Sequence, residues 1–308
     1  MKIPDTSFTY TVEPGATLYA VAQDLHQANI LSRPYYLVWE AKRQAVANRI
    51  KAGEYEIRPG TTPLTFLQML IDGRVVQYAV TFIEGWTFDE VTKALATHPK
   101  LTHTLQEQDR KTIMMHLGHP EMDAEGMFYP DTYLFSTGTP DTEILKRAFD
   151  QMQEKLERAW QARDADLPYR SSYDALIMAS LIEKETAKPE ERPDIAGVFV
   201  RRLKRGMLLQ TDPTVVYALG KQFDGNLKRN DLLIDNPYNT YRFMGLPPTP
   251  IAMTSESSIH AALHPAAGET LYFVAKGDGS HHFSATIEEH DRAVSQYQIK
   301  PAKKAWNE

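Results

Sequence analysis

The chain has 308 residues, a formal net charge of −6 and no cysteine. The lack of cysteine excludes disulfides, thiolate chemistry and cysteine-ligated zinc, and the acidic balance argues against nucleic acid as the main partner. With 42% hydrophobic and 24% charged residues, the composition is typical of a folded globular protein whose length suggests two domains.

The N-terminal part of the sequence predicts short strands and helices joined by turns. Phe8–Val12 alternates as a strand does, and Thr17 is placed to cap the N-terminus of a helix. A second helix is predicted from about Pro34 to Val46, followed by a strand at Gly53–Ile57. Pro63 then suits the first position of a third helix, because its missing N–H has no partner there anyway.

A strand at Val76–Ile83 predicts a boundary between a small module, residues 1–79, and a larger domain, residues 80–308. Residues 87–165 are predicted to be mainly helical, with an interruption at 126–135. Ala175–Thr186 predicts a helix that ends before Pro189. The fold class that follows is α+β, a small βααβ module followed by a larger mixed domain.

The next predicted helix has an apolar face and ends at Gly206. Its basic residues are expected outside: Arg201, Arg202, Lys204 and Arg205. Beyond residue 220 the sequence is rich in loops, with a strand predicted at Leu271–Ala275.

The helix at Ala175–Thr186 closes on two glutamates, Glu183 and Glu185. Each helical residue turns about 100°, so these two side chains project from nearly opposite faces. Glu183 lies over Ala179 and Ser180, a small and more polar face, whereas Glu185 lies on an apolar stripe formed by Met178, Leu181 and Ile182. Loss of hydration would raise the pKa of Glu185, which is what a general acid needs. The alternative is that both glutamates cap or solvate a helix end, and the pattern alone favours that common arrangement.

Polar residues also concentrate further along the chain. Asp212 is predicted to cap a helix that starts with Pro213, whereas Gln210 and Thr211 carry amide and hydroxyl groups that suit a sugar. Asn236–Tyr241 and Gly245–Pro250 form a long irregular stretch with aromatics and amides, which also suits carbohydrate.

The histidines indicate a metal site only weakly. His260 and His264 would share a helix face at a metal-compatible spacing, but no third ligand is evident in the sequence. The sequence contains no phosphate loop, nucleophile elbow or dinucleotide fingerprint, so we expect no metal and no cofactor.

Two sets of residues resemble known families. Tyr10–Ala22, with Ala52–Tyr55, resembles a LysM module, a small βααβ domain associated with binding of peptidoglycan or chitin. The second set resembles the MltG (YceG-like) family of endolytic murein transglycosylases along essentially the whole chain. It comprises Ala179–Thr186, Gln210–Tyr217, Tyr238–Tyr241 and Gly245–Pro248, with Glu84–Gly85, Phe128–Thr132 and His264–Pro265.

The resemblance implies that Glu185 is catalytic and cleaves the MurNAc-β-1,4-GlcNAc bond without water, leaving 1,6-anhydro-MurNAc ends. One acid suffices, because the nucleophile is the C6 hydroxyl of the sugar itself. It further implies peptidoglycan strands as substrate, peptidoglycan synthases as candidate partners and a role in ending strand elongation. We expect the glycan to be held by Gln210, Thr211, Asp212, Tyr217, Tyr238, Asn239 and Tyr241.

Members of this family carry one N-terminal membrane helix and work in the periplasm. No stretch of this sequence approaches the roughly 18 apolar residues that a span needs. The resemblance therefore favours an exported protein, held at the inner membrane by a helix that this sequence lacks, over a cytoplasmic one.

Two other functions remain open on the sequence. A non-catalytic peptidoglycan-binding protein would use the LysM-like module and would bind glycan without turnover. A metal-dependent hydrolase would use His260 and His264 and would be sensitive to chelators.

Overall fold

The chain is a mixed α+β protein built from short elements, which confirms the fold class predicted from the sequence. The computed structural model describes residues 1, 6–105 and 108–299. Among these residues no helix combines the length and the apolar character that crossing a bilayer requires.

The described strands pair in twos: β1 with β2, β3 with β4, and β5 with β6. The first and third pairs are antiparallel, with Tyr10 opposite Tyr55 and Phe273 opposite Phe283. Their bounds are β1 (Phe8–Val12), β2 (Gly53–Ile57), β3 (Tyr78–Thr81), β4 (Thr132–Phe135), β5 (Tyr272–Ala275) and β6 (His281–Ser284).

The helices are α1 (Leu18–Gln27), α2 (Pro34–Arg43), α3 (Pro63–Asp72), α4 (Phe88–Ala96), α5 (Arg110–His116), α6 (Asp141–Gln161), α7 (Ser172–Glu185), α8 (Arg192–Lys204), α9 (Asp212–Leu219), α10 (Glu256–Leu263) and α11 (Ile287–Val294).

The chain divides into two units by the density of its internal contacts. The first unit comprises Met1–Val80, Leu95–Thr104 and Thr132–Ile144, and the second comprises the remainder. Two later segments thus belong to the first unit, so a single boundary in the sequence does not separate the two units. The division at residues 79 and 80 and the LysM-like character of the small module remain predictions.

The first unit contains β1, α1, α2 and β2 in that order. Thr17 caps α1 by accepting a hydrogen bond from the backbone N–H of Ala20, as predicted. Pro63 occupies the start of α3, again as predicted. The apolar faces of these elements form one core that includes Leu18, Val21, Leu25, Leu37, Tyr55, Ile57 and Phe66.

Helix α2 ends at Arg43, three residues before the predicted end at Val46. Ala45 adopts a left-handed conformation with φ of 57°. Its N–H donates to the Lys42 carbonyl, and the N–H of Val46 donates to the Ala41 carbonyl. This is the hydrogen-bond pattern of a Schellman C-terminus, formed here with alanine where glycine is usual, and the sequence therefore gave no stop signal.

The second unit is organised around α7. Ser171 caps this helix, and every residue from Ala175 to Ile182 is buried. Helix α10 packs along α7, and α8 packs against both helices. The final turn of α7 therefore emerges from a fully buried helix body.

Arg202 on α8 is buried, so its predicted exposure is wrong. Its guanidinium donates to the carbonyls of Leu271 and Leu209, at 2.7 and 2.8 Å. These carbonyls come from segments that precede β5 and α9, and they satisfy a charge that the helical pattern alone placed in solvent.

Two loops of this unit approach each other closely at Gly126 and Pro250. At Gly126 φ is 76°, and a Cβ built there would lie 2.3 Å from the Pro250 Cβ and 3.1 Å from the Ala252 carbonyl oxygen. At Gly118 φ is 89°, and nothing lies within 4 Å of a Cβ built there.

We expect Gly118→Ala to cost about 1 kcal/mol through backbone strain. Gly126→Ala should cost roughly 2 kcal/mol more, because overpacking adds to the same strain.

Thermal or denaturant unfolding of the two variants measures the difference. An equal loss of stability in both would contradict the close approach of the loops.

Candidate active site

The last turn of α7 carries three charged residues that project in different directions. Successive side chains on a helix are about 100° apart. The side chain of Glu183 is only 5% exposed, whereas Lys184 is exposed and Glu185 is partly buried. The three residues therefore occupy three different environments.

Glu183 lies in a buried ion pair. One carboxylate oxygen is 3.0 Å from a guanidinium nitrogen of Arg192, whose side chain is 7% exposed. The other oxygen accepts hydrogen bonds from the N–H and the hydroxyl of Ser255, at 2.9 and 2.5 Å. Arg192 also donates to the hydroxyl of Ser257. The alternative in which both glutamates solvate a helix end is therefore wrong for Glu183.

Glu185 lies in the wall of a cavity of about 410 Å³. The Thr211 hydroxyl donates a 2.6 Å hydrogen bond to its Oε2. Loss of hydration raises the pKa of Glu185 above its usual value, and the negative charge of Asp212 adds to the rise. The hydrogen bond from Thr211 and the charges of His281 and Arg202 lower the pKa by less. The net direction agrees with the prediction drawn from the apolar stripe.

The segment that faces Glu185 is held by Thr240. The N–H of Gln210 donates to the Thr240 carbonyl, and that of Thr211 to the Thr240 hydroxyl, both at 3.1 Å. Gln210 adopts φ of 51°, a left-handed conformation that costs a non-glycine residue on the order of 1 kcal/mol and recurs at functional sites. Gln210 also lines the Glu185 cavity.

Asp212 does not cap α9 with its side chain, so that prediction is wrong. The N-cap residue is Thr211, without a side-chain hydrogen bond to the helix. The Asp212 carboxylate instead accepts a hydrogen bond from the Tyr241 hydroxyl. Asp212 and Tyr241 both line the Glu185 cavity, and a second carboxylate thus stands near Glu185.

Three residues around Glu185 were not predicted to belong to the site. Arg202 and His281 line the same cavity, and Glu191 holds His281. The Glu191 carboxylate lies 2.7 Å from Nδ1 of His281 and accepts a 3.0 Å hydrogen bond from the His281 N–H. Because the carboxylate accepts at Nδ1, Nε2 is the ring nitrogen left for other partners. No local sequence signal connects Glu191 with a histidine 90 positions later.

Two further predicted binding residues lie at a second cavity or beside it. Tyr217 lines this cavity, whose volume is about 670 Å³, and its hydroxyl donates to the buried Glu125 at 3.0 Å. The rings of Tyr217 and Tyr238 have centroids 4.9 Å apart. Asp212 lines both cavities. We call the second one the Lys184 cavity, because Lys184 forms part of its wall.

Asn239 is fully buried. Its amide nitrogen donates to the carbonyls of Leu232 and Ile234, and its amide oxygen accepts from the N–H of Tyr241 at 3.0 Å. Asn239 therefore shapes the loop that carries Tyr238 and Tyr241, and this placement favours a supporting role over direct contact with a glycan.

The histidine pair forms no recognisable metal site. The rings of His260 and His264 lie 4.4 Å apart, and Nδ1 of His264 is 2.9 Å from Asp164. Within the part of the chain that the structure describes, no group of three or more potential ligands is close enough to hold a metal ion.

Comparison with known protein families covers nearly the whole chain. The model of the YceG-like family matches residues 10–296 of the chain. The chain belongs to the YceG-like family.

Similar proteins include one solved structure and several named relatives. A solved structure of a yceG-like protein from Listeria monocytogenes has a TM-score of 0.57 and 29% identity, over 94% of this chain and 99% of that one. The endolytic murein transglycosylase of Bacillus subtilis is 33% identical over 96% of this chain and 86% of its own length. A Streptococcus pneumoniae relative with the same name is 25% identical, and the alignment spans only 58% of that protein.

Proposed function

We propose that this YceG-like protein is an endolytic lytic transglycosylase of peptidoglycan that uses Glu185 as its only acid and base. The observation that carries the proposal is a desolvated carboxyl group with a raised pKa, hydrogen-bonded by Thr211 in the wall of a cavity. The names of the relatives from Bacillus subtilis and Streptococcus pneumoniae support the same activity.

The proposed reaction needs one carboxyl group in two protonation states. Protonated Glu185 donates its proton to the oxygen of the MurNAc-β-1,4-GlcNAc bond, and the bond between C1 and that oxygen breaks. The C6 hydroxyl of the same MurNAc attacks C1, and its proton passes to the Glu185 carboxylate. The products are a 1,6-anhydro-MurNAc end and a free GlcNAc 4-hydroxyl, and the enzyme regains its proton. No water is consumed.

The proposed substrate is a long strand that extends to both sides of the cleaved bond. The Glu185 cavity and the Lys184 cavity share Asp212, and we propose that one strand occupies both cavities. Gln210, Thr211, Asp212 and Tyr241 lie beside Glu185, and we propose them as the groups that hold the sugar there. Tyr217 and Tyr238 would contact the strand further along, with Asn239 supporting the loop that carries Tyr238.

We place the enzyme outside the cytoplasmic membrane, where peptidoglycan is assembled, with peptidoglycan synthases as partners and strand termination as its role. These assignments rest on the resemblance to MltG. Cleavage of the chain by a protease added outside the membrane would test the location.

Glu185→Gln should abolish strand cleavage, because the amide cannot donate the proton. The fold should be retained. Glu183→Gln should keep much more activity but lose about 3 kcal/mol of unfolding free energy, because Arg192 is left buried without its counter-charge. Strand cleavage and chemical denaturation of both variants provide the measurements. Full activity in Glu185→Gln would remove Glu185 from the mechanism.

Hydrolysis is the second candidate reaction, favoured by the Asp212 carboxylate in the same cavity. Glycosidases use two carboxylates and add water to the product. For the wild type we expect 1,6-anhydro ends, which are about 18 Da lighter than reducing ends by the mass of one water. Mass spectrometry of products from uncrosslinked strands decides between the reactions, and products that carry an added water would establish hydrolysis.

The pH dependence should follow the protonation of Glu185. Because its pKa is raised above 4.5, activity should persist above that pH and fall as Glu185 ionises. His281→Gln removes a charge that lowers this pKa, so the falling limb should move to higher pH. Arg202, Asp212 and Tyr241, which also face Glu185, remain unchanged.

His282→Gln is the matched control, because neighbouring strand residues point to opposite faces and His282 does not line the cavity. Stability gives an independent check. A raised pKa in the folded state stabilises the fold at low pH, and this contribution is lost as pH rises through the folded pKa. The wild type should therefore lose unfolding free energy relative to Glu185→Gln as pH rises above about 4.5. Equal shifts of the limb in both histidine variants would contradict the assignment.

A further inference from the structure

We infer that the Lys184 cavity binds the free carboxylate of a peptide attached to the muramic acid of the substrate strand. The inference rests on the proposed function, and it gives a role to the central residue of the Glu-Lys-Glu sequence at the end of α7.

The direction of Lys184 is fixed by its two neighbours. Glu183 is held in a buried ion pair and Glu185 faces the catalytic cavity. The side chain of Lys184 therefore extends along a third direction, into the wall of the Lys184 cavity. Its ammonium donates to the Gly85 carbonyl at 3.1 Å, which positions the charge without neutralising it.

Three positively charged and two negatively charged side chains line this cavity. Lys184, Lys221 and Arg110 line the cavity together with Asp89 and Asp212. Arg110 is paired with Asp89 at 2.7 Å and with Glu125, which does not line the cavity, at 3.2 Å. Asp212 accepts the neutral Tyr241 hydroxyl and keeps its charge, so two lysines face one carboxylate. Among the described residues, neither Lys184 nor Lys221 forms an ion pair.

The remainder of the lining suits the body of a short peptide. Pro213, Val216, Tyr217 and Ile251 supply apolar surface beside the two lysines. The volume of about 670 Å³ is within the range of pockets that enclose a ligand of several groups, roughly 300–1,000 Å³. A peptide with small apolar side chains and a terminal carboxylate matches both the charge and the polarity of the cavity.

Asp212 connects this cavity with the chemistry, because it lines both cavities. The two cavities therefore adjoin the same side chain, and we infer that a substituent on a sugar bound beside Glu185 reaches the Lys184 cavity. The muramic acid sugar carries such a substituent through its lactyl ether, whereas its GlcNAc neighbour does not. Recognition of the peptide would thus favour strands that still carry their peptides.

The test measures binding without turnover, in protein that carries Glu185→Gln. Three uncrosslinked strands of equal length are compared: one with free peptide carboxylates, one with amidated peptide carboxylates and one without peptides. We expect Lys184→Gln combined with Lys221→Gln to weaken binding of the first strand about tenfold, as the loss of two exposed charge pairs would. The other two strands should be affected by less than twofold.

Lys146→Gln combined with Lys228→Gln is the matched control, because it removes the same charge from residues that do not line the cavity. An equal loss on all three strands, or none on the first, would overturn the inference. Failure of the proposed function would appear separately, as a wild type that does not cleave any of the three strands.

Discussion

The Glu183–Arg192 ion pair fixes the last turn of α7, and the directions of the neighbouring side chains depend on it. Two charges removed from water are stable together only when their partners are well placed. Here Ser255 and Ser257 complete the hydrogen bonding. The pair joins the end of α7, the start of α8 and the cap of α10. Once Glu183 points inward, helical geometry determines where Lys184 and Glu185 can point.

The burial of α7 explains why its two glutamates behave differently. Its body is surrounded by protein from Ala175 to Ile182, so a carboxylate at its end cannot rely on water for stabilisation. A buried carboxyl group must either find a cation or hold its proton more tightly. Glu183 takes the first course with Arg192. Glu185 takes the second, because the Thr211 hydrogen bond and the nearby charges of Arg202 and His281 do not cancel the loss of hydration.

Features that depend on near neighbours in the chain could be predicted from the sequence. The cap at Thr17, Pro63 at the start of α3 and the opposite directions of Glu183 and Glu185 follow from spacing alone. Features that depend on distant partners could not. Arg202 was expected in solvent, because no local pattern indicates its partner, the carbonyl of Leu271, 69 positions away. Asp212 was expected to cap α9, because no local pattern indicates its partner Tyr241, 29 positions away.

The same distinction applies to the candidate site. The apolar stripe identified Glu185 as a glutamate whose pKa is raised, but it could not reveal the pairing of Glu191 with His281. A hydrogen bond across 90 positions leaves no periodic trace in the sequence. The resemblance to MltG selected the segment Gln210–Asp212, yet the hydroxyl that reaches Glu185 belongs to Thr211. Which residue of Gln210–Asp212 contacts Glu185 depends on the folded structure and could not be predicted from the sequence.

Part of the site lies on two loop segments, and Thr240 explains how these segments hold it in place. Its carbonyl and hydroxyl bind the N–H groups of Gln210 and Thr211, and its neighbour Tyr241 binds Asp212. Two irregular segments are thereby joined at three successive residues. Proton transfer requires heavy atoms within about 3 Å, so a donor on a freely moving loop would be poorly placed. The strained conformation of Gln210 is consistent with this requirement, because only a well-supported backbone retains it.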